Sequence, residues 1–352
     1  MSSRISKKVI WEVILLKYLL IIYILFCLII AGLNYGLAPG SSEEVQKTIL
    51  KIWHFYENQF KTILIIIGSI LTLRTFKTKS SMRRRNLTGF ILAAFVVHII
   101  GPIILQNGDL YFFSMPIPWS STALQLMNEQ SGFYQSHIPL WGSAGISAVL
   151  IFYGLTAIVI YSGTLLMGRR WQCSTICLFN GFISETFSPA FPIIGKRKKR
   201  NHGKVFIYAK WIFLIMSIFF TLFWFSSYIF NYGDSILSLM ATVEVVKYLS
   251  LELLMAMFLW IVLTGRGYCN YCPLGTVLGY VSKIAGQKIV TDKSDCINCR
   301  KCDTACPMDI EISSCAIMKQ PVLNNSCVGC GHCVDICPVK TLKYSTRFLE
   351  GF

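Results

Sequence analysis

The chain has 352 residues, of which 54% are hydrophobic and only 14% charged. That balance excludes an ordinary water-soluble protein of this length and indicates a polytopic membrane protein. The formal net charge of +16 is read as basic loops on the cytoplasmic side of a membrane, with no nucleic-acid partner.

In chain order, apolar runs near 9–32, 55–76, 87–105, 144–167, 205–230 and 246–264 each approach the roughly 20 residues a membrane helix needs. The first follows the basic stretch "SSRISKK" without a small-residue cleavage site, so it reads as a retained helix. The second opens on "WHFYENQFK", which is interfacial in character. Lys77, Lys79, Arg83, Arg84 and Arg85 fall between the second and third runs; Arg169, Arg170 and "GKRKKRNHGK" (195–204) fall between the fourth and fifth. The loop 106–143 carries no Lys or Arg. Positive residues mark the cytoplasmic side, so both termini are expected there, with the chain integral to the cell (inner) membrane.

Two apolar runs end alike, in "GRRWQCSTIC" (168–177) and "GRGYCNYCPLG" (265–275). Each is a helical hairpin followed by Gly-Arg, an aromatic residue and a cysteine pair, and internal repeats in membrane proteins commonly build their site at the repeat interface. Cys173, Cys177, Cys269 and Cys272 are therefore expected to converge at the membrane surface. Arg169, Arg170 and Arg266 stand nearby to stabilise thiolates or an anionic cluster. Four thiolates are the full ligand set of a [4Fe–4S] cluster or of structural zinc. A third, iron–sulfur metal centre, a redox-active dithiol and thiols that only pack all remain open readings. Cys27, inside the first run, reads as apolar filler.

From residue 286 the composition turns polar, and "CINCRKCDTACP" (296–307) and "CVGCGHCVDICP" (327–338) follow. Each is C-x2-C-x2-C-x3-C-P, in which three close thiolates grip one cubane and the fourth reaches the other cluster. Cys296, Cys299, Cys302 and Cys337 are expected to hold one [4Fe–4S] cluster, and Cys327, Cys330, Cys333 and Cys306 the second. Zinc sites do not take two tandem four-cysteine runs of this form, and disulfides are disfavoured in the cytoplasm. Cys315 reads as a small packing residue. The expected fold is a mostly α bundle of about six membrane helices over 1–285, with an α+β two-cluster ferredoxin-like domain over 286–352.

Cysteine pairs after membrane hairpins, followed by a two-cluster domain, resemble the membrane polyferredoxins. That family includes the quinol dehydrogenase membrane subunits of periplasmic nitrate reduction and the regulator of nitrous-oxide respiration. The resemblance spans roughly residues 85–346 and departs in two details. The family commonly has two C-x3-C-P motifs; here Cys177 is followed by Leu178, and Cys269 to Cys272 is one residue shorter, with Pro273 kept. No flavin-attachment motif of the nitrous-oxide regulator is read. The resemblance implies electron transfer between the quinone pool and other redox subunits, an iron–sulfur protein or a cytochrome.

A quinol site needs an apolar slot and one or two proton acceptors, for which His and carboxylates serve. His98 lies near the outer end of the third run, with Asp109, Tyr111, Glu129 and His137 following in the aromatic 106–143 loop. His98, Asp109 and His137 are the expected quinone and proton residues. The competing reading is an interfacial aromatic belt. His98 is the one His well inside an apolar run, which leaves a b-type haem without a second ligand. Glu12, Lys17 and Glu252 lie in or beside apolar runs, where charges are costly. The function read from these residues is quinone-linked iron–sulfur electron transfer. The alternatives are a metalloenzyme assembly factor that uses its clusters as a reductant, and a redox sensor.

Overall fold

A computed structural model describes residues 7–76, 81–168, 170–194, 203–230, 232–291 and 296–348. The basic residues Lys77, Lys79, Arg169 and 195–202, and the start of the chain, lie outside them.

Among the described residues, five helices are long and apolar enough to cross a membrane: Ile10–Gly40, Met82–Leu105, Gly132–Met167, Val205–Ile229 and Asp234–Val262. Without water to satisfy backbone groups, apolar runs of this length close their hydrogen bonds internally as helices. Their outward faces carry exposed Trp11, Ile103, Ile151 and Ile215, a surface suited to lipid and not to water. The expected second helix also forms. It runs without a break from Glu43–Phe55 (α2) through a π-helical turn, Tyr56–Phe60, into Lys61–Phe76 (α3), and packs against the first helix, Lys7–Gly32 (α1). Its charges are internal, since Lys61 pairs with Glu57 at 2.6 Å.

Two expected boundaries move. The fourth helix starts at Gly132, not near 144, and the backbone breaks its helical course at Gly142 (φ 66°), where the expected run begins. The last membrane helix starts at Asp234, not near 246, because Glu244 is buried and accepts bonds from Gln125 Nε2 (2.9 Å) and Trp224 Nε1 (2.9 Å).

The 106–131 connection was expected as an outer loop, and here the structure differs most. Leu110, Phe113, Ala123 and Leu126 are fully buried. Ile117 N–H donates to Tyr153 Oη (2.9 Å), and Tyr161 Oη donates to Ile117 O (2.7 Å). At 1.5 Å per helical residue, Tyr161 stands about 9 Å from the Met167 end and about 28 Å from Gly142. The segment therefore dips deep into the bundle. Irregular backbone is tolerated at that depth because protein surrounds it.

After Met167 the chain turns at Gly168 (φ 70°) into Trp171–Thr175 (α4) and Asn180–Thr186 (α5). After Val262 it turns into Pro273–Ile284 (α6). The last domain holds an antiparallel pair, Lys288–Thr291 (β1) with Leu342–Ser345 (β2), in register Ile289 to Tyr344. Helices Lys301–Ala305 (α7) and His332–Ile336 (α8) pack on each other.

Candidate metal centres

The two cysteine motifs fold as a repeat with 31 residues between equivalent positions, from Cys296 to Cys327 and from Cys306 to Cys337. Left-handed residues recur at matching places: Asn298 and Gly329, Arg300 and Gly331, Asp309 and Lys340. These turns wrap each loop around a hollow. One hollow is lined by Cys306, Cys327, Cys330 and Cys333. The other is lined by Cys296, Cys299, Cys302 and Cys337. Each collects three cysteines of one motif and the fourth of the other. Cys315 is half-buried and lines neither.

The membrane-side cysteines also meet. Cys173, Cys177, Cys269 and Cys272 are all buried and close enough to interact electrostatically with one another. Asn180 Nδ2 donates to Cys269 Sγ (3.0 Å), Gly181 N–H to Cys177 Sγ (3.4 Å) and Gly275 N–H to Cys272 Sγ (3.4 Å). Two buried arginines cross between the repeat halves. Arg170 Nη1 donates to Cys269 O (3.2 Å) and Arg266 Nη1 to Cys173 O (2.6 Å). Each stands three residues before the first cysteine of its own pair and holds that of the other. Counting back from the cysteine, not forward from the Gly-Arg, makes Arg170 the partner of Arg266.

Burial pushes the Cys173 thiol up to about 12 and Cys272 well above its ordinary value. Thiolates at these positions therefore need cationic compensation. Arginine, N–H donors aimed at sulfur and four buried thiols fit an anionic iron–sulfur core. Zinc, with Zn–S about 2.3 Å, holds its sulfurs about 3.8 Å apart. Among the described residues, the group of three ligand atoms within 4.8 Å of one another is Glu185, Cys330 and His332, with no cysteine trio. The quartets are spread wider than a single ion requires.

Glu185 joins the sites. Its carboxylate accepts from Arg266 Nη2 (2.6 Å) and pairs with His332 Nε2 (3.0 Å). Burial alone would raise the carboxyl, but His332 and Arg266 hold it well below its ordinary range. Arg266 also reaches Cys269 Sγ (3.7 Å), and His332 lies between Cys330 and Cys333. Arg170 donates to Asn325 O (2.7 Å) and Asn86 Nδ2 to Cys330 O (3.1 Å). The last domain is thus hydrogen-bonded onto the membrane cysteines. No spacing rule pointed to Glu185 or Asn180.

Within the bundle, His98 is buried, its Nδ1 is 3.1 Å from Thr62 Oγ1, and its Nε2 has no partner among the described residues. It lines a narrow cavity of about 50 Å³ with Tyr56, Glu57, Lys61, Tyr111, Trp119, Leu178 and Phe179. Cys27 lines it too. Leu178 and Phe179 directly follow Cys177. Trp119 Nε1 donates to Tyr268 Oη (2.8 Å), beside Cys269. The cavity wall therefore reaches the cysteine quartet on two sides. A second cavity shares Phe112, Trp119 and Tyr248 and adds Glu244, Lys247 and Glu252, with Lys247 Nζ 2.9 Å from Glu252 Oε1.

The three expected quinone residues are not brought together. Asp109 pairs with His54 at 2.9 Å. His137 stacks on Phe133 and Trp141 and bonds to Phe133 O (2.7 Å). Neither lines the His98 cavity. The reason is the Gly142 break and the inward dip of 106–131, which separate positions that one outer loop would have gathered. Lys17 donates to Ile193 O (3.2 Å), and Glu12 is buried.

The model of a 4Fe-4S dicluster domain matches residues 288–338. The ferredoxin-type protein NapH of Haemophilus influenzae is 34% identical over 103 residues, 27% of this chain and 36% of that protein. The putative electron transport protein YccM of Escherichia coli is 37% identical over 84 residues, 23% of this chain and 22% of its own length. An uncharacterized protein of Methanocaldococcus jannaschii is 23% identical over 222 residues, 61% of this chain and 80% of that protein. The chain thus spans about a third of the length of the NapH relatives it matches, 36% and 37%. No solved structure matches it. Among the described residues the chain thus joins five membrane-length helices to a 4Fe–4S dicluster domain at 288–338, and it is similar over part of its length to ferredoxin-type and electron transport proteins.

Proposed function

We propose that this chain is a membrane iron–sulfur electron-transfer protein that takes electrons from quinol in the His98 cavity and delivers them to a partner redox protein. The observation that carries the reading is the cavity wall. Leu178, Phe179 and the Trp119–Tyr268 pair stand between the cavity and Cys177 and Cys269. In this reading Cys173, Cys177, Cys269 and Cys272 hold a third cluster, beside the two held by Cys306, Cys327, Cys330, Cys333 and by Cys296, Cys299, Cys302, Cys337. Clusters supply one-electron steps when bound; the chain's residues set burial and hydrogen bonding to sulfur.

Oxidising quinol releases two electrons and two protons. His98 Nε2, buried and unpartnered, is the acceptor facing the cavity, with Lys61 and Glu57 in the same wall. Its Nδ1 contact with Thr62 fixes the ring. Aromatic side chains line this narrow cavity, and they must part to receive the quinol ring. Arg170 and Arg266 hold the two repeat halves together and compensate the sulfur charge. Taking Lys61–Phe76 as a sixth crossing beside the five membrane-length helices, the chain ends share a side, which the basic loops make cytoplasmic.

Purified protein reconstituted in lipid tests the reading: quinol should reduce the cluster signals, as dithionite does. Clusters that respond to dithionite and stay oxidised under excess quinol would remove the quinol step.

A further inference from the structure

The two halves of the dicluster domain share a backbone yet meet opposite surroundings. In the second half Val328 is 1% exposed, and Gly331 and His332 are buried. A Cβ on Gly331 would stand 2.8 Å from Met82 Sδ, so this loop is pressed against the membrane helix. In the first half the equivalent residues are Ile297, 59% exposed, with Arg300 and Lys301, both exposed. Cys299 is exposed where its counterpart Cys330 is buried. One face is docked, and the face related to it by the repeat is open.

The chemistry of the open face has diverged as well. Exposed Ile297 lines the Cys296, Cys299, Cys302 and Cys337 hollow, and the exposed Ile317, Met318 and Ile336 stand in sequence beside its lining residues Ala316 and Cys337. The exposed charges beside its lining residues are basic: Arg300 lines the hollow, Lys301 follows, and exposed Lys340 sits between Val339 and Thr341, while the acidic Asp335 before Ile336 is half-buried. Asp303 is turned inward, accepting from Ile312 N–H (2.7 Å) and Ser313 N–H (2.9 Å).

We propose that this face docks an acidic, water-soluble redox protein, which exchanges electrons one at a time with the cluster held by Cys296, Cys299, Cys302 and Cys337. The proposal rests on the electron-transfer reading above and fixes its exit. A small apolar patch rimmed by one sign of charge is the build of a transient complex, in which charge steers encounter and little area is buried. The transfer itself moves one electron from the reduced cluster to a one-electron acceptor, and no bond or proton changes place.

The test uses the full-length, cluster-loaded protein in lipid discs, reduced with dithionite and freed of excess reductant. It is mixed in stopped flow with an acidic c-type cytochrome and, separately, with a basic one. At low ionic strength the acidic acceptor should be reduced at least about tenfold faster, and salt should erase the difference. The triple variant Arg300→Asn, Lys301→Glu, Lys340→Asp should lose that advantage while iron content and reduction by dithionite stay unchanged. Equal rates for the two cytochromes, or a triple variant that reacts like the parent with the acidic one, would overturn the proposal. Failure of quinol to reduce the parent while the triple variant still slows the acidic cytochrome would remove the quinol reading and leave this docking face standing.

Discussion

His98 and His137 make opposite predictions, although both stood as candidates in the sequence. His98 lines the aromatic cavity and its Nε2 has no partner among the described residues, whereas His137 packs on and bonds to its own helix. Losing a general base typically costs about 10² to 10⁴ in rate. His98→Ala should slow quinol-driven cluster reduction by that order and leave dithionite reduction intact, while His137→Ala should match the parent in both. Glu185 makes a different prediction. It is the counter-charge of buried Arg266 and also bonds to His332. Glu185→Ala leaves the buried Arg266 guanidinium uncompensated, a loss of about 3–5 kcal/mol for such pairs. Limited proteolysis should then release the dicluster domain at lower denaturant than in the parent.

At the scale of elements, what the sequence carried depended on how local the signal was. Cysteine spacing is local, so the two four-cysteine runs and the membrane pairs were legible, and the structure groups them in quartets. The π-helical turns are not local signals. Tyr56–Phe60, Phe95–Ile100 and Tyr248–Leu254 bring Glu57, His98 and Glu252 to the bundle interior, and such turns gather at functional sites. Nothing in the apolar periodicity marks them. The inward course of 106–131 was equally hidden, because an aromatic, charge-poor stretch suits an interface and a protein interior alike. It took the Tyr153 and Tyr161 bonds to reveal the depth. The docked loop of the dicluster domain gives a prediction at this scale. Gly331→Ala must fit a methyl against Met82 and holds φ at 81°. Overpacking of this kind costs about 1–3 kcal/mol, so thermal release of the domain should come earlier, and Met82→Ala should restore part of the loss.

Across the whole molecule the three quartets form a sequence. The His98 cavity borders Cys177 and Cys269, Arg266 and Glu185 lead to His332 beside Cys333, and the remaining quartet faces solvent. If each quartet holds a [4Fe–4S] cluster, the loaded protein should carry about twelve irons, and Cys173→Ser with Cys269→Ser should lower that to about eight. An unchanged iron content in a folded double variant would favour a redox-active dithiol or thiols that only pack. In the proposed reading the membrane quartet, which stands between the cavity wall and the dicluster domain, is the relay. The most direct measurement is the rate at which quinol reduces the dicluster signals in the parent and in the Cys173→Ser, Cys269→Ser variant, with dithionite as reference. The account predicts reduction by quinol in the parent and its loss in the variant, with both proteins still reduced by dithionite. Quinol reduction at the parent rate in the variant would contradict it.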